Sequence, residues 1–173
     1  MQRRTLGQAL GLAAVAAAWP LGATAKPREA APPLPALGST LPLPAELSLL
    51  DGTRWRAEQA RGQVLVLYWW ASWCPFCALQ SPSMEKLWQT QRSRGLAMLG
   101  LSIDKRPEDA RRYLQQRGYS FPSAMQTAEL AAVLPKPSKA LPVTCVLGRD
   151  GRVLMAEGGQ LFPEDVQEIA AFL

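Results

Sequence analysis

The apolar run Val64-Leu65-Val66-Leu67-Tyr68-Trp69-Trp70 leads, through Ala71-Ser72-Trp73, into Cys74-Pro75-Phe76-Cys77, and this junction constrains the fold more than any other part of the chain. The run has no polar alternation, so it reads as a strand buried on both faces of a parallel sheet. The motif then opens a helix. Residues at i and i+3 share a helix face with Cβ atoms roughly 5–6 Å apart, within modest adjustment of disulfide geometry. Cys74 sits at the helix start, where unpaired N–H groups and the positive dipole end favour a thiolate. Such a pair can open and close a disulfide, which points to electron transfer between thiols.

Other uses of the motif fit the chain less well. A structural zinc needs four Cys or His ligands, and the chain has three cysteines and no histidine. No metal is expected. A purely structural bridge gains little from closing so short a loop, because the stabilisation grows with loop length. Peroxide reduction is not expected either, since no Pro-x-x-x-Thr/Ser-x-x-Cys arrangement leads into Cys74 or Cys77.

The amino terminus sets the compartment. Arg3 and Arg4 precede an Ala/Leu-rich stretch from Leu6 to Leu21 and then Ala23-Thr24-Ala25, the three parts of a secretory signal over residues 1–25 with cleavage after Ala25. Left uncut, the segment would serve as an inner-membrane anchor; Arg3-Arg4 also admits twin-arginine export. No cysteine lies nearby for lipid attachment. Without residues 1–25 the chain keeps 17 basic and 14 acidic side chains, too mild an excess to indicate nucleic acid. Lys105, Arg106, Arg111, Arg112 and Arg117 surround one helix, but Glu108 and Asp109 interleave, as on a solvated face. Residues 26–44, with six prolines from Pro27 to Pro44, are expected to form an extended linker without packed structure of its own. Residues 45–173 then make one domain.

Within that domain, Leu47–Leu50, Asp51-Gly52 and Thr53–Trp55 predict a β-hairpin. The buried strand, the motif helix to about Arg94 and an apolar strand from Leu96 to Ile103 make a right-handed βαβ unit, with Pro82 expected to kink the helix. Pro107 starts a helix that ends before Gly118. A short strand around Phe121–Met125 and a helix over about Thr127–Leu134 form an insertion. Val143–Leu147 and Val153–Glu157 form a second hairpin. A last helix from Pro163 carries Val166, Ile169 and Phe172 inward. The fold class is α/β, a mixed central sheet flanked by helices.

Trp70-Ala71-Ser72-Trp73-Cys74-Pro75-Phe76-Cys77, Pro82, and Leu141-Pro142-Val143-Thr144 before a hairpin resemble the thioredoxin superfamily, more narrowly the TlpA/ResA/CcmG-like exported thiol-disulfide oxidoreductases. The resemblance runs from about Leu41 to Leu173. It implies a thioredoxin-like fold and a cis Pro142 opposite Cys74. It also implies a substrate surface of Trp73, Pro75, Phe76, Leu141 and Pro142, with the Leu141 backbone pairing an extended partner segment. Cys74 is then the attacking thiolate and Cys77 the resolving thiol. A periplasmic reductase follows, fed by a membrane reductant of the DsbD or CcdA kind. Its targets would be protein thiols and disulfides, among them apocytochrome c; no cofactor is needed and a monomer is expected. The alternatives are an oxidase or isomerase of the same fold, or a non-catalytic binding or metal-carrier module.

The chain departs from the family twice. Tyr68 stands where many members have a buried Asp six residues before the first cysteine, and Gln80 where relatives carry a Glu six residues after it. That leaves Tyr68, Glu157 or water to take the proton of Cys77. Tyr68 reads equally as a strand aromatic with a satisfied hydroxyl, and Gln80 as a solvated helix residue. Pro75-Phe76 lacks the histidine of strong oxidants, implying an intermediate to reducing potential. Cys145, Trp55, Trp69 and Trp88 read as core. Lys136 and Lys139 read as a solvated loop that also has the charge to support a thiolate or steer an acidic partner.

Overall fold

The computed structural model describes residues 32–173; the expected signal at 1–25 lies outside them. The elements are β1 (Glu46–Ser48), β2 (Arg54–Arg56), β3 (Val64–Trp70), α1 (Pro75–Gln91), β4 (Leu96–Ser102), α2 (Pro107–Arg117), β5 (Ser123–Met125), α3 (Ala128–Val133), β6 (Val143–Leu147), β7 (Val153–Gly158) and α4 (Pro163–Glu168). Five strands form one mixed sheet in the order β5-β4-β3-β6-β7, while β1 and β2 make a separate antiparallel hairpin. β3 is central, parallel to β4 and antiparallel to β6. The βαβ unit, the insertion and both hairpins expected from the sequence are therefore present.

Strand alternation divides β3 between two cores. Val64, Val66, Tyr68 and Trp70 face Met84 and Leu87 of α1, Ala110 of α2 and Val166 of α4. Leu65, Leu67 and Trp69 face Trp55 of the hairpin, Leu130 of α3 and Cys145 of β6. Every residue of β3 is buried, which is why the run carries no polar alternation. In the neighbouring strand Gly100 supplies a needed gap: a Cβ there would press on Trp70 Nε1, Phe121 and Ser123 Oγ.

Two expectations change, for residues 32–44 and for Phe172. Residues 32–44 are not a free linker: Gly38 donates to the Val153 carbonyl, Val153 to that of Ser39 (both 2.8 Å), and Thr40 bridges to Arg152. Ser138 donates to the Pro32 carbonyl at 2.7 Å, so the segment runs along the outer side of β7. An edge strand needs such cover, and prolines give it without offering new donors. Pro82 lies exposed inside α1, whose helical run continues through it to Gln91. Phe172 is exposed rather than inward, lining a surface groove with Met155 of the edge strand β7 and Phe162.

Candidate active site

Local chemistry places the motif. β3 ends at Trp70, the chain turns with Cys74 N–H donating to the Ala71 carbonyl at 3.2 Å, and α1 starts at Pro75. Proline suits this first helical position, where no N–H bond is lost. Cys74 is the N-cap in extended backbone, and its Sγ accepts the Cys77 N–H at 3.1 Å. Cys74 and Cys77 form a disulfide with Cα atoms 5.2 Å apart. Both cysteines are buried, Cys77 fully and Cys74 with 4% exposure, so Cys74 is the nearer of the two to solvent. Around it Trp73 (64%), Phe76 (55%) and Leu79 (62%) turn apolar side chains outward, one helical turn apart. Pro75 is also exposed.

The loop from Lys136 to Pro142 leads into β6. The Leu141-Pro142 peptide is cis, and β6 begins at the next residue with Val143 opposite Trp69. Pro142 therefore lies at the same end of the sheet as the motif. Lys136 is half-buried, not solvated: its ammonium donates to the carbonyls of Ser138 and Ala140, the second at 2.9 Å. That folds a loop in which Ser138 has φ +64° and Ser138 Oγ accepts Ala140 N–H. Burial lowers the Lys136 pKa. Its charge is committed to backbone carbonyls, while Lys139 stands exposed on the same loop.

Beneath the motif lies a row of polar side chains. Tyr68 and Thr144 are cross-strand neighbours, and Thr144 in turn pairs with Glu157. The fully buried Tyr68 hydroxyl bonds Ser81 Oγ at 3.0 Å and donates to the Cys77 carbonyl at 3.4 Å. Burial pushes its pKa well above the ordinary tyrosine value, so Tyr68 keeps its proton. Gln80 is 1% exposed, which corrects its reading as a solvated residue. Its amide donates to Thr144 Oγ1 at 2.9 Å and its carbonyl accepts Leu161 N–H at 2.7 Å. Glu157 is exposed on β7.

Cys145, Trp55 and Trp69 are core residues as expected. Trp88 is half-buried with the Arg92 guanidinium 5.8 Å over its ring. Burial pushes the Cys145 thiol up to about 12. Sequence reasoning missed two features: Leu79 in the exposed apolar stripe, and Asp104, whose carboxylate accepts Ser72 N–H at 3.0 Å and Ser72 O–H at 2.6 Å. No local pattern announces the second, because it depends on the register that sets Trp70 opposite Ser102.

A Cys-x-x-Cys disulfide capping the helix after the central strand of this sheet, with a cis-proline opening the adjacent strand, defines a thiol-disulfide oxidoreductase of the thioredoxin fold. The chain belongs to the AhpC/TSA family, whose model matches residues 38–155. It is 27% identical over 135 residues to the thiol-disulfide oxidoreductase ResA of Geobacillus thermodenitrificans, covering 77% of this chain and 75% of that one. To ResA of Halalkalibacterium halodurans it is 23% identical over 119 residues, covering 69% and 67%. Among solved structures, a thiol:disulfide interchange protein of the thioredoxin family from Chlorobium tepidum superposes with TM-score 0.65 at 22% identity, covering 85% of this chain and 97% of that one. A secreted Mycobacterium tuberculosis disulfide oxidoreductase homologous to DsbE gives 0.64 at 17%, covering 74% and 95%. The last two likenesses concern the fold; the resemblance to ResA-like oxidoreductases holds in sequence as well.

Proposed function

We propose that the protein is a periplasmic protein-disulfide reductase in which Cys74 attacks and Cys77 resolves. The observation that carries this is the asymmetry of the pair: Cys74 Sγ caps α1, takes the Cys77 N–H and belongs to the less buried residue, while Cys77 is fully buried. In the dithiol form, Cys74 thiolate attacks one sulfur of a partner's disulfide, and the partner's other sulfur leaves as a thiolate. Cys77 then gives up its proton, to that leaving thiolate or to water, and attacks Cys74 Sγ. The mixed disulfide breaks and the partner's first sulfur departs. Two electrons have passed to the partner, whose thiolates take up the Cys77 proton and a further proton from water, and the Cys74–Cys77 disulfide has closed. A dithiol donor must reset it, in this reading a membrane reductant of the DsbD or CcdA kind.

Trp73, Pro75 and Phe76 form the partner contact with Leu141 and Pro142, and apocytochrome c thiols are among the targets. Residues 1–25 direct export and residues 45–173 form the exchanging domain, against which residues 32–44 of the intervening stretch pack along β7. Pro75-Phe76 offers Cys74 no cationic or hydrogen-bonding side chain, which supports the reducing direction. The test is a Cys77→Ala variant expressed with its export signal. It should hold partners as mixed disulfides on Cys74; a Cys74 that is open to alkylation yet yields no adduct would overturn the mechanism. Equilibration of the wild-type pair with glutathione settles direction, since a midpoint near about −120 mV belongs to a strong oxidant.

A further inference from the structure

Asp104 is a buried carboxylate beside the motif that the exchange steps above do not use. It follows β4, is 7% exposed, and accepts hydrogen bonds at both oxygens. Ser72 N–H reaches each of them (3.0 and 3.3 Å), Ser72 O–H reaches Oδ1 at 2.6 Å, and Ser102 O–H reaches Oδ2 at 2.7 Å. Each of these contacts has the carboxylate as acceptor. Among the described residues no cation pairs with it: the ion pairs involve other acids, and its neighbour Lys105 is exposed. Ser72 lies two residues before Cys74, so their Cα atoms are at most about 7.6 Å apart and the charge held on Ser72 stands on the order of 10 Å from the first sulfur.

We infer that Asp104 is a positioning and poising residue: it clamps the 71–74 turn to the end of β4, and its uncompensated charge disfavours the Cys74 thiolate and so keeps the pair reducing. The inference rests on the reading of Cys74 and Cys77 as the exchanging couple. The helix terminus and the Cys77 N–H stabilise the Cys74 thiolate; Asp104, bonded to Ser72 in the same turn, opposes them. The other ionisable groups near the site do not cancel it. The Lys136 ammonium is taken up by carbonyls, Tyr68 stays neutral, Lys139 is exposed on the loop, and Glu157 is exposed on β7. At about 10 Å in a partly buried setting, a unit charge changes a thiol's ionisation on the order of tenfold.

Asp104→Asn tests this with the shape kept, because the Asn carbonyl still accepts from Ser72 and its amide can donate to Ser102 Oγ. Two quantities are read: the pH midpoint of Cys74 alkylation in the reduced protein, and the equilibrium with glutathione as a function of pH. Asp104→Asn should lower the alkylation midpoint by about one pH unit. It should also favour the reduced pair by up to about tenfold above the thiol pKa, with the two proteins converging below it, since the charge acts only on the thiolate. Ser72→Ala removes one bond of the clamp but keeps the charge, and should leave both readouts at their wild-type values. An unchanged midpoint in folded Asp104→Asn overturns the inference, as does a pH-independent change or an equal change in Ser72→Ala, either of which marks a purely structural clamp. Should the wild-type pair itself fail to titrate with glutathione, the exchange reading fails first and separately.

Discussion

Gln80 of α1 joins two segments far apart in the chain: its amide holds Thr144 Oγ1 of β6 at 2.9 Å while its carbonyl holds Leu161 N–H at 2.7 Å. The side chain is thus bonded at both ends, as a buried amide must be to avoid a desolvation penalty. It fastens the motif helix to the strand that follows the cis-proline.

A carboxylate at this position has to ionise in a buried site. In Gln80→Glu the Leu161 N–H and the Thr144 hydroxyl can both donate to it, but burial opposes the charge and should raise its pKa above the ordinary value of about 4.3. With the folded value raised, the unfolded chain loses its proton first. The variant should match wild type near pH 4 and fall behind as pH rises, by about 1.4 kcal/mol for every pH unit that separates the folded from the unfolded pKa. Urea denaturation at pH 4 and pH 7 measures this.

Tyr68 is neutral and bonded to Ser81 and the Cys77 carbonyl, not to either sulfur. Tyr68→Phe should cost about 1 kcal/mol for the lost buried bond and leave the exchange rate unaltered. A rate lowered tenfold or more would show that the hydroxyl does handle the proton of Cys77.

Lys136 folds the loop that carries Leu141 and Pro142. Lys136→Met keeps the stem but leaves the Ser138 and Ala140 carbonyls without their donor. KM for a protein disulfide should rise several-fold, while the rate with a small aromatic disulfide, which needs only Cys74, should stay the same. Steady-state assays with both substrates make the comparison.

Cys145 lies in the core with its thiol pushed up to about 12 from an ordinary 9.0. The folded value being the higher one, the unfolded chain releases this proton first, so stability is retained below about pH 9 and lost towards pH 12, at about 1.4 kcal/mol per pH unit. Cys145→Ala should be less stable at pH 7 for want of packing, yet its melting temperature should fall less steeply from pH 9 to 10.5.

Much of the site was legible because local rules write it. An all-apolar run specifies a central strand, proline after Cys74 specifies a helix start, and an i, i+3 spacing brings two thiols together. Pro107 and Gly118 bound α2 in the same way, with Gly118 at φ +68° ending it. Gln80 and residues 32–44 were misread for a shared reason. A polar helix residue and a proline-rich stretch look solvated until the elements that cover them are in place.

The central strand, the motif, the order of its cysteines and the strand that follows Pro142 were all written in the chain, since each follows from neighbours within one element or turn. Which polar groups serve that motif depended on long-range packing. Tyr68 meets Thr144, and Trp70 sets Ser102 opposite, through strand register across 76 and 32 positions of chain. Burial at those crossings fixes whether Tyr68 keeps its proton, what Gln80 bonds, and where the charge of Asp104 stands.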